Sequence, residues 1–416
     1  MGTPTGTHTL ETRGEAPAAT AGRAGTDRTR SAPAARVALV GVHGFGTHHL
    51  RNLERLRAAG AVELVAVADP QPPAGGSVPA SADVYQGLDE LLAATKELDL
   101  VIVATPIQTH APLALAALAT GTDLYLEKPP VASLADFTRL CDAAAASGSS
   151  VQIGFQSLGS HALKAIEDLL AAGTIGTLEG MSATGRWVRD RAYYKRSRWA
   201  GKRSINGVDV VDGVATNPLA HAVATALRIA GARTTSDVVS VETELYRAND
   251  IESDDTSVIR IRTASGMPIT CALTICASES VEPYVTLQGS AGTAVFHYTE
   301  DRLTVTTASG TSEETFGRDD LTENLLAHRT GKVPLISPLL DSGAFMLVLE
   351  AIRTAPLPTA IPDAHVRWEG DGEAAHAVVV DIEAALQRAG REHVMFSELG
   401  LPWATSAPHL FSVPAS

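Results

Sequence analysis

Five short apolar runs between residues 36 and 156 alternate with stretches of helical periodicity, and this alternation constrains the fold more than any other feature of the chain. Strands that alternate with helices pair in parallel, because each helix returns the chain to the same edge of the sheet. The sequence therefore predicts an α/β domain with a parallel sheet over residues 36–153. The predicted strands are 36–40, 62–68, 98–104, 124–126 and 150–156.

The first strand passes directly into a glycine-rich turn, Gly-Val-His-Gly-Phe-Gly, and the second strand ends at an aspartate. In a dinucleotide site the glycines let the backbone approach the pyrophosphate, the next helix offers free N–H groups, and the acid accepts the ribose hydroxyls. His43 stands where the usual pattern has its second glycine, so Gly44 is expected to supply the missing freedom. The pattern predicts a Rossmann-type dinucleotide-binding domain, with cofactor contacts at Gly41, His43, Gly44, Phe45, Gly46 and Asp69.

Asp69 also predicts which dinucleotide binds. A carboxylate at this position repels the 2′-phosphate of NADP, and residues 70–73 contain no arginine or lysine that could hold one. NAD is therefore the expected cofactor rather than NADP.

Lys128 follows the fourth strand and precedes two prolines. Proline fixes its own φ, keeps the preceding residue out of the helical region and tolerates a cis peptide bond, so this lysine is expected in a stiff corner. A surface salt bridge in a proline-rich turn is the alternative interpretation. Because ligands of parallel sheets bind beyond the carboxyl ends of the strands, its position favours a functional role. The strand ends that share this rim are Gly41, Asp69, Thr105, Lys128 and Gly154.

Charge and composition exclude several classes of protein. A net charge of −14 opposes binding to nucleic acid and to anionic membranes. Three cysteines are too few and too scattered for a disulfide framework or a zinc site, so no metal is expected, and they fit a reducing cytoplasm. No apolar run is long enough to span a membrane, and the first residues do not resemble a secretory signal. Residues 1–35 are predicted to be a disordered tail.

Beyond residue 153 the pattern changes from alternating elements to consecutive strands. After a helix at 160–172, seven runs rich in valine and threonine follow with few helices between them. Such runs predict an α+β domain with a largely antiparallel open sheet over 154–360, which ends in a helix, loop and helix. Residues 361–416 form a predicted C-terminal extension with a helix at 374–389.

The segment 186–203, the basic loop below, is strongly basic and aromatic within an acidic protein. Arginine forks match carboxylates and phosphates, and aromatic rings suit sugar faces or stacking on guanidinium groups. A solvated surface loop is the alternative, but Trp and Tyr are scarce elsewhere in this chain. We predict that the loop selects an acidic small-molecule substrate through Arg186, Trp187, Arg196, Arg198 and Trp199.

Asn217 and His221 lie four residues apart in a segment whose tail has a helical pattern. This spacing places both side chains on one face of a helix, one turn apart. A histidine satisfied inside an apolar helix is the alternative interpretation for His221. Asn217 can hydrogen-bond a substrate hydroxyl but cannot exchange a proton, and Asp212 lies close enough in sequence to substitute for it.

These motifs together resemble the Gfo/Idh/MocA family of oxidoreductases, from about residue 36 to about residue 353. The resemblance implies a nicotinamide cofactor, sugar or polyol substrates, a catalytic Lys128, and a homo-oligomer (dimer or tetramer) formed through the open face of the sheet. The family carries an aspartate at the position of Asn217 and its proton-transfer histidine at the position of His221. The matching stretches are 41–46, His49, Ala104-Thr105-Pro106 with His110, Glu127-Lys128-Pro129 and 287–293.

The predicted function is an NAD(P)-dependent oxidoreductase that transfers hydride between nicotinamide and a CH–OH group of a sugar, polyol or related hydroxy compound. Lys128 is expected to exchange the hydroxyl proton with help from His221. Two alternatives stay open: an enzyme that cleaves glycosides or epimerises sugars through a transient oxidation, and a dinucleotide-binding regulator without turnover. Further cofactor contacts are predicted at Thr105, Pro106, His110, Glu127 and Lys128, and further substrate contacts at Gln156, Asn217 and His221.

Overall fold

The computed structural model describes residues 33–413, so residues 1–32 of the predicted tail 1–35 lie outside the described range. Six strands form the first sheet: β1 (Ala35–Val40), β2 (Val62–Ala68), β3 (Asp83–Tyr85), β4 (Leu100–Val103), β5 (Asp123–Leu126) and β6 (Val151–Ile153). Four helices connect them: α1 (Gly46–Ala58), α2 (Leu88–Ala94), α3 (His110–Leu118) and α4 (Leu134–Ser147). All neighbours pair in parallel, in the order β3-β2-β1-β4-β5-β6.

Both faces of this parallel sheet are buried, which explains its continuous apolar strands. Along β1, Val37 and Leu39 enter one apolar cluster, whereas Ala38 and Val40 enter another. The strand order reverses beside β1, and ligands of such sheets bind at this point, beyond the carboxyl ends of the strands. The sequence did not predict β3, because it has only three residues and follows a segment rich in proline and glycine.

The second sheet has ten strands, of which nine follow the order β16-β15-β14-β13-β7-β12-β11-β10-β17 while β20 pairs with β10. Its strands are β7 (Leu178–Val188), β10 (Val238–Arg247), β11 (Thr256–Thr263), β12 (Pro268–Thr274), β13 (Cys276–Gly289), β14 (Gly292–His297), β15 (Arg302–Thr307), β16 (Gly310–Thr315), β17 (Thr359–Ala360) and β20 (His409–Ser412). Two hairpins lie outside it: β8 (Ser204–Ile205) with β9 (Val208–Asp209), and β18 (Val366–Glu369) with β19 (His376–Val379). The remaining helices are α5 (Ala162–Ala171), α6 (Arg191–Lys195), α7 (Ala220–Ile229), α8 (Leu321–Arg329), α9 (Gly343–Thr354) and α10 (Ile382–Glu392).

Helices cover both faces of the second sheet over its central strands. On one face α7 packs against β7 and α9 against β10. On the other face Tyr246 and Val258 pack against Leu386, Phe396 and Trp403 of the C-terminal extension. The extension therefore completes the core of this domain, and the homo-oligomer implied by the resemblance stays a prediction.

The fold class predicted from the sequence is confirmed: a parallel Rossmann-type domain precedes a domain with a mostly antiparallel sheet. Two pairs in the second sheet, β7 with β12 and β10 with β17, are parallel. The helix predicted at 374–389 is wrong at its start, because His376–Val379 forms β19 and α10 begins at Ile382. Within residues 33–413 no helix is both long enough and apolar enough to cross a membrane.

Candidate active site

The glycine turn between β1 and α1 depends on close backbone contacts. Gly41 has a φ of +88°, and a Cβ there would lie 2.5 Å from the carbonyl oxygen of Ala104. A Cβ on Gly46 would lie 2.1 Å from the carbonyl oxygen of Gly41. Gly44 has a φ of +55°, in the left-handed region. The turn therefore has its left-handed residue at Gly44, and His43 does not have a positive φ.

This turn leaves backbone donors free at the start of α1. The N–H of Val42 donates to Asp69 Oδ2 at 2.9 Å, and the N–H groups of Gly46 and Thr47 donate back into the turn. Within residues 33–413 the N–H groups of the three residues between them, 43–45, have no acceptor. Adjacent free N–H groups at a helix N-terminus suit the phosphates of a dinucleotide.

Asp69 is held at the end of β2 by two backbone donors. Its Oδ2 accepts from Val42 N–H, and its Oδ1 accepts from Gln71 N–H at 2.9 Å. The side chain is only partly buried, so each carboxylate oxygen keeps a lone pair for a ribose hydroxyl. A cleft of about 500 Å³ opens between the glycine turn, α1 and the segment 74–77.

His110 and the Thr105–Pro106 corner connect β4 to the loop that carries Lys128. His110 is 1% exposed. Its Nδ1 lies 2.9 Å from Pro129 O, and its Nε2 lies 2.8 Å from Thr105 O. Burial lowers the pKa of His110. The structure thus places His110 beneath the rim, while Pro106 is exposed on it.

Glu127 also lies beneath the rim, at 6% exposure. Its Oε1 is 2.9 Å from His49 Nε2 and accepts from Gln156 Nε2 at 3.3 Å, and its Oε2 accepts from the backbone N–H of Lys128 at 3.2 Å. A Cβ on Gly154, which follows β6, would lie 2.8 Å from this carboxylate, so a side chain there would displace Glu127. Glu127 and Gln156 therefore brace the strand end that presents Lys128.

Lys128 joins the two domains. Its peptide bond to Pro129 is cis. Its Nζ donates to Asn217 Oδ1 at 2.9 Å and to Asn217 O at 3.0 Å. Asn217 Nδ2 in turn donates to Asp212 Oδ1 at 2.6 Å. Burial lowers the pKa of Lys128, against the opposing effect of the Glu127 and Asp212 carboxylates.

The segment 210–217 reaches Lys128 through an unusual backbone path. Val211 has a φ of +52°, which is rare for a β-branched residue and needs tertiary restraint. That restraint comes from Arg203 O, which accepts from Val211 N–H at 3.1 Å, and from Asp254 O, which accepts from Val214 N–H at 3.1 Å. The prediction that Asn217 lies on a helix is wrong, because α7 begins only at Ala220 and Asn217 lies in the preceding turn.

His221, in the first turn of α7, belongs to a hydroxyl relay. Thr225 Oγ1 donates to Ser157 Oγ at 2.9 Å, which leaves the Ser157 proton for His221 Nδ1 at 3.3 Å. The ring then carries its own proton on Nε2, which has no partner within residues 33–413. Burial, with help from the charges of Lys128 and Arg318, lowers the pKa of His221 from its usual 6.5 to about 3, so the ring is neutral at physiological pH.

Acids of the same chain pair with half of the basic residues in the basic loop. Arg186 pairs with Glu279 at 3.4 Å and Lys202 with Glu252 at 2.8 Å. Trp187 stacks on Arg189, and Arg198 is exposed. The structure therefore does not gather the loop's charges at Lys128.

Arg196 is the arginine of the basic loop whose side chain approaches Asp212, the carboxylate that accepts from Asn217. Its guanidinium lies 3.5 Å from the ring centre of Tyr193 and 4.7 Å from that of Trp199. Its Nη2 is 3.6 Å from Asp212 Oδ2, and its side chain is 28% exposed. Arg196 and Trp199 therefore stand beside the candidate site.

The C-terminal hairpin β18–β19 supports the basic loop from outside. Arg191 N–H donates to Ala375 O at 3.0 Å, and the Arg191 guanidinium lies 4.6 Å from the ring centre of Trp368. Lys195 Nζ donates to Glu373 Oε1 at 2.6 Å. Helix α6, which carries Tyr193, is thus fixed by residues of the extension.

Sequence reasoning missed three residues of this site. Tyr193 lies in the aromatic loop that the sequence singled out, and its neighbours gave no reason to choose it over Tyr194. Thr225 lies four residues after His221, and that helical spacing could have indicated it. Ser157 has no such signal, because only the packing of α7 against the short 3-10 helix Gln156–Gly159, which follows β6, brings it to His221.

Two family models match the chain. A model described as "Oxidoreductase family, NAD-binding Rossmann fold" matches residues 35–155, and one described as "GFO/IDH/MocA C-terminal domain" matches residues 163–295. Together they span more than half of the chain.

Curated relatives match in part. Inositol 2-dehydrogenase 3 of Saccharopolyspora erythraea is 33% identical over 152 residues, which are 34% of this chain and 42% of that protein. Inositol 2-dehydrogenase of Leifsonia xyli subsp. xyli is 24% identical over 189 residues, which are 45% of this chain and 56% of that protein. The chain thus matches about half of the length of these relatives.

A solved structure shares the fold. The WlbA dehydrogenase from Bordetella pertussis, in complex with NADH and UDP-GlcNAcA, matches with a TM-score of 0.63 and 21% identity. The match covers 77% of this chain and 95% of that one. At this identity the similarity concerns the fold alone.

Proposed function

The chain belongs to the Gfo/Idh/MocA family of NAD-binding oxidoreductases, and from this membership we propose that it is an NAD-dependent dehydrogenase of a sugar, polyol or related hydroxy compound. The observation that carries the proposal is the amine of Lys128 at the rim of the parallel sheet, bonded to Asn217 of the second domain. The inositol dehydrogenases among its relatives support a polyol or sugar substrate.

The residues of the first domain fit a bound dinucleotide. The free N–H groups of residues 43–45 would hold the pyrophosphate, and Asp69 would accept the ribose hydroxyls. When bound, the nicotinamide ring accepts hydride from the carbinol carbon. We propose NAD rather than NADP, because Asp69 is fixed by Val42 and Gln71 and cannot turn away from a 2′-phosphate.

Lys128 is the proposed proton carrier. Two of its three ammonium protons bond to Asn217, so the third position faces away from that residue and is available to a substrate hydroxyl. In the direction of oxidation the neutral amine takes the hydroxyl proton as hydride leaves the carbon, and a carbonyl forms. The pKa of Lys128 is lowered by burial, which increases the share of neutral amine at a given pH.

His221 has a different proposed role, because its pKa of about 3 keeps the ring neutral. A neutral ring with its proton on Nε2 can donate a hydrogen bond to the reacting oxygen and orient it. Ser157 and Thr225 hold this tautomer. His221 would therefore position the substrate oxygen, while Lys128 moves the proton.

An acidic substrate is the finer part of the proposal, and it now rests on Arg196. Tyr193 and Trp199 hold the Arg196 guanidinium, so its charge is fixed beside the candidate site. Asp212 offsets part of its charge from 3.6 Å. Arg198 is exposed nearby in sequence and would add the second positive charge.

The test is a screen of sugars, polyols and their acids for net formation of NADH. Turnover of one compound class with stoichiometric NADH supports a dehydrogenase. Substrate conversion without net NADH would favour transient oxidation during cleavage or epimerisation instead. Tight NAD binding with no conversion of any compound would replace the proposal by a dinucleotide-binding regulator.

A further inference from the structure

We propose that Asp212 is a positioning residue that fixes the side-chain amide of Asn217 with its oxygen toward Lys128. This inference rests on the proposed function, in which Lys128 carries the proton. In this chain an amide stands directly against the amine of Lys128, and the carboxylate of Asp212 stands one contact further back. The line runs from Lys128 Nζ to Asn217 Oδ1 at 2.9 Å, and from Asn217 Nδ2 to Asp212 Oδ1 at 2.6 Å.

The chemistry of the two neighbours determines which way the amide points. Burial raises the pKa of Asp212, whereas the hydrogen bonds from Asn217 and Gly201 and the charges of Arg196 and Lys128 act to lower it. In its ionised form this carboxylate only accepts hydrogen bonds, so the NH₂ group of Asn217 must face Asp212. The ammonium of Lys128 only donates, so the amide oxygen must face Lys128. Without Asp212 the amide could turn over whenever the amine is neutral and donate from its NH₂ group to the amine lone pair, which would favour the neutral form of Lys128 over the charged form.

Asp212 itself is held in place independently of Lys128. It is 7% exposed, and its Oδ2 accepts from the backbone N–H of Gly201 at 2.7 Å. Arg196 Nη2 approaches the same oxygen to 3.6 Å. The strained φ of +52° at Val211 turns the chain so that Asp212 points at Asn217. A carboxylate with these partners is a fixed reference for the amide.

Among the residues that the structure describes, four titratable or charged groups face the amine of Lys128. Glu127 lies next to it on its own strand end, Asp212 in the turn before α7, Arg196 in the basic loop and His221 in α7. The two carboxylates raise the pKa of Lys128, while Arg196 and His221, when charged, would lower it. Loss of the Asp212 charge should therefore lower the pKa of Lys128 and make its amine reactive at lower pH.

The experiment measures the protonation of Lys128 without turnover. Each of the six lysines is acetylated in trace amounts across a pH series, and mass spectrometry gives the labelling of Lys128 relative to the exposed Lys332. Asp212→Asn keeps the size of the side chain but removes its charge. We expect its Lys128 titration midpoint to fall by about 0.5–1 pH unit.

A double-mutant cycle tests whether the effect passes through Asn217. In an Asn217→Ala background, Asp212→Asn should move the midpoint by less than half as much. An equal shift in both backgrounds, or no shift in either, would overturn the proposal, because Asp212 would then act only through space or not at all.

The exchange variant Asp212→Asn/Asn217→Asp covers the case in which the single variant does not fold. It keeps one amide and one carboxylate but puts the carboxylate against Lys128, so the midpoint should rise above that of the wild type. An unchanged or lower midpoint contradicts the arrangement. Because acetylation needs no substrate, these results stand even if the substrate screen fails, and a parallel shift of the kcat/KM profile is expected where it succeeds.

Discussion

His49 Nε2 lies 2.9 Å from Glu127 Oε1, and both side chains are buried. This contact ties the helix that follows the glycine turn to the strand end that carries Lys128. A substitution of Lys128 itself leaves His49, Glu127 and the turn in place. The cofactor site and the proton carrier can therefore be separated by mutation.

Lys128→Met should reduce kcat by about 10²–10⁴-fold, the usual contribution of a general acid–base group. The Kd for NAD should stay within a few-fold, because the amine bonds to Asn217 rather than to the glycine turn. Steady-state kinetics and equilibrium titration give both numbers. His221→Ala should cost less, since His221 orients the oxygen and does not carry the proton. Lys332→Met, at an exposed lysine, is the matched control, and near-normal turnover of Lys128→Met would remove Lys128 from the mechanism.

Asp69→Asn should reduce the ratio of the Kd for NADP to the Kd for NAD by about tenfold or more. The variant weakens the hydrogen bonds from the ribose hydroxyls of NAD, and a hydrogen bond to a charged group is worth ~1.5–3 kcal/mol. The variant keeps the shape of the side chain but loses the charge that repels a 2′-phosphate. Asp69→Ala should reduce the ratio as well. Titration with both dinucleotides measures the ratio of Kd values, with the exposed Asp83→Asn as control. Tighter binding of NADP than of NAD by the wild type would contradict the assignment.

Arg196→Gln combined with Arg198→Gln should raise KM for an acidic substrate about tenfold more than for its neutral analogue. The reason is the loss of the guanidinium held between Tyr193 and Trp199. Arg191→Gln removes one charge from the same loop but from the side that faces Trp368, so it should leave the ratio of the two KM values unchanged. An equal rise for both substrates in the double variant would mean that the loop has a structural role only.

The low pKa of His221 predicts that the free energy of unfolding decreases at acidic pH. The folded protein keeps the ring neutral down to about pH 3, whereas an unfolded histidine takes up a proton near 6.5. The unfolded state thus binds more protons in this window, and stability falls as the pH falls from 6.5 toward 3. In His221→Gln, the free energy of unfolding should fall less steeply with decreasing pH than in the wild type, by at most about 1.4 kcal/mol per pH unit.

Urea unfolding at several pH values measures the slope for the wild type and the variant. His48→Gln, at an exposed histidine, serves as the control and should keep the slope of the wild type. Parallel curves for the wild type and His221→Gln would show that His221 does not resist protonation in the folded protein.

The residues at the carboxyl edge of the first sheet could be predicted from the sequence, because all strands of a parallel sheet run in the same direction. Once the alternation of strands and helices is recognised, Gly41, Asp69, Thr105 and Lys128 must all fall at carboxyl ends on one edge. The glycines of the turn could be predicted for a similar local reason, since Gly41 and Gly44 have positive φ angles.

The line from Lys128 to Asp212 could not be predicted in the same way. Asn217 precedes α7 by three residues, and the periodicity of the segment placed it inside the helix. The left-handed conformation of Val211 runs against local preference and exists only because Arg203 and Asp254 hold the neighbouring backbone. Contacts of this kind depend on the packing of distant segments, which no local pattern encodes.

Because the hairpin β18–β19 holds α6, the structure of the basic loop is encoded at two distant places in the chain. Glu373 and Trp368 of the extension are partners of Lys195 and Arg191, and the family models end at residue 295, well before them. A basic loop transplanted without this hairpin would lose the partners of Lys195 and Arg191. Under the proposed role of the basic loop in substrate selection, a change of substrate range in this chain requires the loop and the hairpin to vary together.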